Sequence, residues 1–122
     1  DLRLQYSNAA HPPPLLLREG MAPEPLKRGG TIVGMGGILP FEDGRKALAP
    51  GDKLILYTDG ITEYQNREGT LFGDERFHEL LEQVKGRPVA ELVKDVYETL
   101  MSFGDGEKIH DDVTLLGFEF LP

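Results

Sequence analysis

The sequence contains no cysteine, which excludes disulfide staples and thiolate metal sites and fits a reducing, cytoplasmic setting. It also has no apolar run near the ~20 residues that a bilayer-spanning helix needs. Residues 1–6 alternate polar and apolar, unlike the basic and apolar blocks of a signal peptide. Basic residues are in short supply: 13 Lys and Arg stand against 21 Asp and Glu, for a formal net charge of −8. That balance argues against a surface that tracks nucleic-acid phosphates. An excess of carboxylates suits cations or basic partners, although most such groups only solvate a surface. There is no internal repeat and no low-complexity tract. There is no initiator methionine either, and the chain opens inside a strand-like pattern, so the expectation is a portion cut from something larger.

What is present suits one modest domain. A chain of 122 residues with 39% hydrophobic and 28% charged residues is ordinary globular composition and long enough to bury a core. Leu2, Leu4 and Tyr6 alternate as in a strand, residues 7–14 are a turn rich in Asn and Pro, and Leu15-Leu16-Leu17 is a second short strand. Residues 21–30 read as a loop and residues 31–35 as a strand closed by Gly36-Gly37. Pro50-Gly51-Asp52 is a turn signal that launches Lys53-Leu54-Ile55-Leu56-Tyr57-Thr58, a strand apolar on both faces. Phe77, Leu80, Leu81 and Val84 lie on one helical face, and Gly86 ends that helix. Pro88 suits the first turn of a second helix, whose stripe is Val89, Leu92, Val93, Val96, Tyr97 and Leu100. Residues 113–120 form the last strand. Strands, two helices and a strand predict an α+β layered fold with the helices on sheet faces.

Two acidic clusters sit at strand boundaries, Asp59-Gly60 after one strand and Asp111-Asp112 before another. If those strands are antiparallel neighbours, the carboxylates converge at one sheet edge. That is a rigid mount for the oxygen ligands that hard cations such as Mg²⁺ and Mn²⁺ require. Asp-Gly after a strand is also a strong hairpin signal, and alone it is more often a turn than a ligand. Asp-Asp before a strand is commonly a solvated loop. Gly60 lets the chain leave the strand without a Cβ clash. His11, flanked by Asn8 and three prolines, reads as fixing a loop by hydrogen bonding rather than as a general acid. His78 and His110 read as surface residues.

Four segments in order carry a family resemblance. Tyr6-Ser7-Asn8-Ala9-Ala10-His11-Pro12-Pro13-Pro14-Leu15 is the first, and Pro50-Gly51-Asp52 followed by Leu56-Tyr57-Thr58-Asp59-Gly60-Ile61-Thr62-Glu63 is the most recognisable. Phe72-Gly73-Asp74-Glu75-Arg76-Phe77 and Asp111-Asp112-Val113-Thr114-Leu115-Leu116 complete the set. Together they resemble the C-terminal half of a stage II sporulation protein E-type serine/threonine phosphatase domain of the PPM superfamily. The resemblance implies an αββα layered sandwich, of which this chain, 1–122, is the C-terminal portion. It implies two Mn²⁺ or Mg²⁺ ions that activate a bridging water for attack on phosphoserine or phosphothreonine, without a covalent enzyme intermediate. By motif, Asp59 and Asp111 are metal ligands, and Asp112 supports the turn or a ligand from behind. Glu63 stands where some superfamily members bind an extra metal. The implied partner is a phosphorylated regulatory protein such as an anti-sigma-factor antagonist.

Two departures matter. Ala10 replaces the family's usual glycine, so a positive φ there would be strained. The family's upstream glycine-aspartate motif is absent from these residues. The expectation is an incomplete metal site, little hydrolysis by this chain alone, and self-association through surface left uncovered. The competing expectation is a non-catalytic, partner-binding module on a degenerate phosphatase fold.

Overall fold

The computed structural model describes residues 1–35 and 40–122. Their elements are β1 (Leu2–Tyr6), β2 (Asn8–Ala9), β3 (Leu15–Leu17), β4 (Glu24–Pro25), β5 (Gly29–Gly30), β6 (Gly44–Leu48), β7 (Lys53–Tyr57), α1 (Gly73–Val84), α2 (Val89–Gly104) and β8 (Leu115–Glu119). Strands β4-β3-β7-β8 form the main sheet in that order, all neighbours antiparallel. β1 pairs antiparallel with β6 as a second sheet, and β2 pairs parallel with β5.

Side-chain alternation along the strands builds the layers. Successive strand residues point to opposite faces, and here both faces of the main sheet are covered. Leu15, Leu17, Ile55 and Tyr57 pack with Phe77, Leu81, Leu92, Val96 and Leu100 of the two helices. Leu16 and Leu54 point the other way and pack with Leu26, Leu4, Tyr6 and Leu48. The result is helices, main sheet and second sheet stacked in turn, an α+β arrangement that supplies part of an αββα sandwich. Each fully buried aliphatic side chain contributes about 1.5–3 kcal/mol. In β8, Leu116 and Phe118 are about half exposed; among the described residues β8 is an edge strand of the main sheet.

Both helices form as their stripes predict, with two adjustments. Pro88 is the N-cap of α2, not part of its first turn. Its carbonyl accepts the Leu92 N–H at 3.0 Å. Tyr97 is exposed rather than buried, since it lies at the margin of a stripe centred on Leu92, Val96 and Leu100. Gly117 lets α2 approach β8: a Cβ there would lie 2.6 Å from Val89 Cγ2. Glu119 of β8 accepts the Val89 N–H at 3.1 Å, and this bond, with Lys53 nearby at 3.4 Å, holds its carboxyl below the usual range.

The strand predicted at residues 31–35 is not formed. Gly34 has φ +96°, the Met35 N–H closes a turn onto the Ile32 carbonyl at 3.2 Å, and Ile32, Val33 and Met35 face outward. Gly36-Gly37 lie outside the described residues. The segment 21–30, predicted as loop, carries the two-residue strands β4 and β5. β6, Gly44-Arg45-Lys46-Ala47-Leu48, is an unpredicted strand; its charged residues hide the period that its pairing with β1 reveals. Ala10 does adopt φ +57°, a conformation that costs an L-residue about 1–2 kcal/mol.

At the end of β7 remote from Asp59, Asp52 is 3% exposed and bonded by Arg18 through Nε at 3.0 Å and Nη2 at 2.6 Å. It also accepts the Ala49 N–H at 2.8 Å. The Arg18 bond holds the Asp52 carboxyl below the usual range, against the opposing effect of burial. A depressed folded-state pKa adds stability that is present above the unfolded value, about 3.9, and is lost as pH falls through the folded value. Asp52→Asn is therefore expected to lower stability at pH 7 by about 2 kcal/mol. In denaturant melts, the gap from the unsubstituted protein should close below about pH 4; a gap independent of pH would contradict this assignment.

Candidate metal centre

The register Tyr57↔Leu115 is the last pair of the β7–β8 ladder, and the acidic segments leave from that end of both strands. The Thr58 N–H extends the ladder by one bond to the Thr114 carbonyl, at 3.1 Å. Beyond it the chain turns helically: the Asp59 carbonyl accepts the Glu63 N–H at 2.9 Å and the Thr62 hydroxyl at 3.3 Å. Residues four apart on such a turn share a face, which sets Glu63 beside Asp59. Across the ladder, Asp111 precedes β8, and its Oδ1 accepts the Asp112 N–H at 2.7 Å.

Asp59, Glu63 and Asp111 each offer a carboxylate oxygen, and these oxygens all lie within 4.8 Å of one another. All three residues are exposed, and among the described residues none of the three forms an ion pair. Two like charges at this separation repel by roughly 1 kcal/mol even in water, so a cation between them is favoured. The donor set fits a hard divalent ion: at about 2.1 Å from an octahedral ion, cis oxygens stand about 3.0 Å and trans oxygens about 4.2 Å apart, so the exposed carboxylates close inward to share one ion. Neither nitrogen nor sulfur is in the set, which disfavours a zinc-type site.

Gly60 is the contact between the two segments. A Cβ at this position would lie 2.2 Å from the Asp112 carbonyl oxygen, so only glycine allows the approach. Asp112 contributes that carbonyl, while Asp111 carries the carboxylate that joins the cluster. Tyr64, buried in the same loop, donates its hydroxyl to the Glu107 carbonyl at 2.6 Å and packs on Gly104. It thereby ties residues 58–72 to the segment that leads into Asp111. A surface cavity of about 440 Å³ opens beside the carboxylates, lined by Gly60, Glu63, Leu71, Ile109, His110 and Asp111 among others.

The other named residues lie elsewhere. The Asn8 side chain accepts the His11 N–H and donates to the His11 carbonyl, both at 2.8 Å, and His11 Nδ1 is 2.9 Å from the Pro12 carbonyl. Both residues line a separate cavity with Leu54 and Leu56. His78 is on α1, away from the cluster. Thr58 and Tyr64 were not singled out by sequence. A hydroxyl immediately before the strand-end aspartate was a usable signal for the first; nothing local marks the second.

Residues 1–121 match the family described as stage II sporulation protein E (SpoIIE). Protein IcfG of Synechocystis is 31% identical over 113 residues, covering 93% of this chain and 18% of its own length. Phosphoserine phosphatase RsbU of Bacillus subtilis is 29% identical over 91 residues, covering 75% of this chain and 27% of its own. The chain thus spans about a fifth to a quarter of these relatives. The SiaA PP2C domain of Pseudomonas aeruginosa superposes with a TM-score of 0.81 at 25% identity, over 97% of this chain and 46% of that one. The RsbU and RsbW domains of Rv1364c from Mycobacterium tuberculosis give a TM-score of 0.78 at 30% identity, over 98% and 32%.

Replacing Gly60 by Ala forces the Asp112 carbonyl away, since backbone cannot yield as a side-chain tip can. Thermal melts of Gly60→Ala are expected to show a loss of about 1–3 kcal/mol. An unchanged melting temperature would mean that the segments are not in contact.

Proposed function

The chain belongs to the stage II sporulation protein E family, and on that premise we propose that Asp59, Glu63 and Asp111 hold Mn²⁺ or Mg²⁺ in a phosphoserine/phosphothreonine protein phosphatase site. The observation that carries the reading is the convergence of three carboxylates on one strand-end platform. A divalent ion bound there supplies a nucleophile from water at neutral pH and offsets charge on the phosphoryl group. The chain's own residues set the site: Asp59 and Asp111 from the two strand ends, Glu63 from the turn, Gly60 and the Asp112 carbonyl closing the gap between them.

Three carboxylates on one open side fall short of the six ligands of an octahedral ion. The share of the SiaA PP2C domain that this chain covers, 46%, supports reading it as the C-terminal part of such a domain. Ligands from the rest of the domain complete a binuclear site, and the isolated chain binds metal weakly and hydrolyses little. The outer edge of β8, unpaired among the described residues and with Leu116 and Phe118 half exposed, is the surface that the rest of the domain covers and that drives self-association without it. The substrate is a phosphorylated regulatory protein of the cytoplasm, such as an anti-sigma-factor antagonist. RsbU, named a phosphoserine phosphatase, supports the substrate class.

The test is Mn²⁺-dependent release of phosphate from a phosphoserine protein by the full-length protein. Asp59→Asn and Asp111→Asn are each expected to lower turnover by more than the ~10–100-fold that loss of a ligand-supporting residue costs, and chelation should abolish it. Partner binding that survives chelation, with no turnover in the unsubstituted protein, would favour a non-catalytic binding module.

A further inference from the structure

We propose that the Thr58 hydroxyl is the positioning group that sets Asp59 and Asp111 at ligand spacing; the proposal rests on the metal site described above. Thr58 Oγ1 donates to the Asp112 carbonyl at 2.8 Å and accepts the Thr114 N–H at 3.0 Å. One hydroxyl therefore uses its donor and an acceptor position at once, on a single segment, immediately before Asp59 in sequence.

The location gives those bonds their effect. The regular β7–β8 pairing stops at Tyr57↔Leu115, and the segment 111–114 has no strand of its own. Without the hydroxyl, one backbone bond, Thr58 N–H to the Thr114 carbonyl, would hold the chain at that point. With it, two further bonds carry the pairing into the acidic loop and fix the carbonyl next to Asp111. Gly60 closes the same carbonyl from the other side. The Asp111 carboxylate is bonded to the Asp112 N–H, so the Asp112 backbone links the carbonyl that Thr58 holds to the carboxylate through a single Cα. Thr58 is half-buried while Asp59, Glu63 and Asp111 are exposed, and its hydroxyl braces the backbone that carries the acidic loop rather than touching the carboxylates themselves. Groups that orient ligands from behind typically govern metal affinity by ~10–100-fold.

The experiment measures Mn²⁺ affinity, by electron paramagnetic resonance of free ion, together with melting temperature, in the full-length protein. Thr58→Val keeps the shape and removes the hydroxyl; Thr58→Ser keeps the hydroxyl and removes the methyl. Arg18→Gln disturbs the opposite end of β7 as a stability control. Thr58→Val is expected to weaken Mn²⁺ binding by ~10-fold or more, Thr58→Ser to restore it to within about twofold of the unsubstituted protein, and Arg18→Gln to lower the melting temperature with unchanged affinity. Equal affinity in Thr58→Val and the unsubstituted protein overturns the positioning role. So does weakening in Arg18→Gln that matches Thr58→Val, since affinity would then follow stability alone. Asp59→Asn separates the two levels. If it binds Mn²⁺ as the unsubstituted protein does, the metal-site reading fails and this proposal with it; if it loses binding while Thr58→Val does not, only the positioning role fails.

Discussion

The antiparallel register between β7 and β8 is the constraint on which the rest depends. Asp59 and Asp111 are 52 residues apart in the chain (111 minus 59), and nothing local brings them together. Pairing Lys53 with Glu119 and Tyr57 with Leu115 does so, because the end of one antiparallel strand lies beside the start of its neighbour. A slip of one residue would turn Ile55 and Tyr57 toward the second sheet and Leu54 and Leu56 toward the helices. It would also separate the carboxylates.

That register is held from both ends and from the helix face. At one end, Arg18, Ala49 and Asp52 tie β3, the preceding turn and β7 into one bonded group, and the Phe120 N–H bonds the Asp52 carbonyl at 2.9 Å. At the other, the Thr58 hydroxyl and Gly60 bind the acidic loops together. On one face, the helices grip Ile55 and Tyr57, with Tyr57 and Phe77 meeting edge to face at 4.7 Å. Burial of the Tyr57 hydroxyl raises its pKa, with a further push from Asp74. Glu119 and Lys53 join the sheet to the ends of both helices, since Lys53 also donates to the Lys85 carbonyl at 2.8 Å. The exposed site is thus mounted on a strand paired along both edges, as a rigid ligand platform requires.

Much of this was legible in the sequence where apolar period and turn chemistry agreed. Leu15-Leu16-Leu17, the β7 run and the helical stripe of Phe77, Leu80, Leu81 and Val84 state their own structure, and the two acidic strand boundaries point to one edge. The failures have physical causes. Ile32 and Val33 have strand propensity but no strand partner among the described residues, and Gly34 turns the chain before a ladder can start. β6 is a strand only because β1 lies beside it, so its polar residues carry little local signal. Glu63 was marked at a one-turn spacing from Asp59, and the structure sets it beside both aspartates. Thr58 is marked only by its place before Asp59, and nothing local marks Tyr64 or the Asp112 carbonyl, because their contributions depend on bonds between segments more than 40 residues apart in the chain.

The most direct measurement is a crystal structure of the full-length protein with Mn²⁺, with the ion located by its anomalous scattering. The expected peak is bounded by the carboxylates of Asp59 and Asp111, within about 2.0–2.3 Å of an oxygen from each, with Glu63 alongside. A peak elsewhere, or none at saturating Mn²⁺ with the β7–β8 register intact, would contradict this placement of the ion.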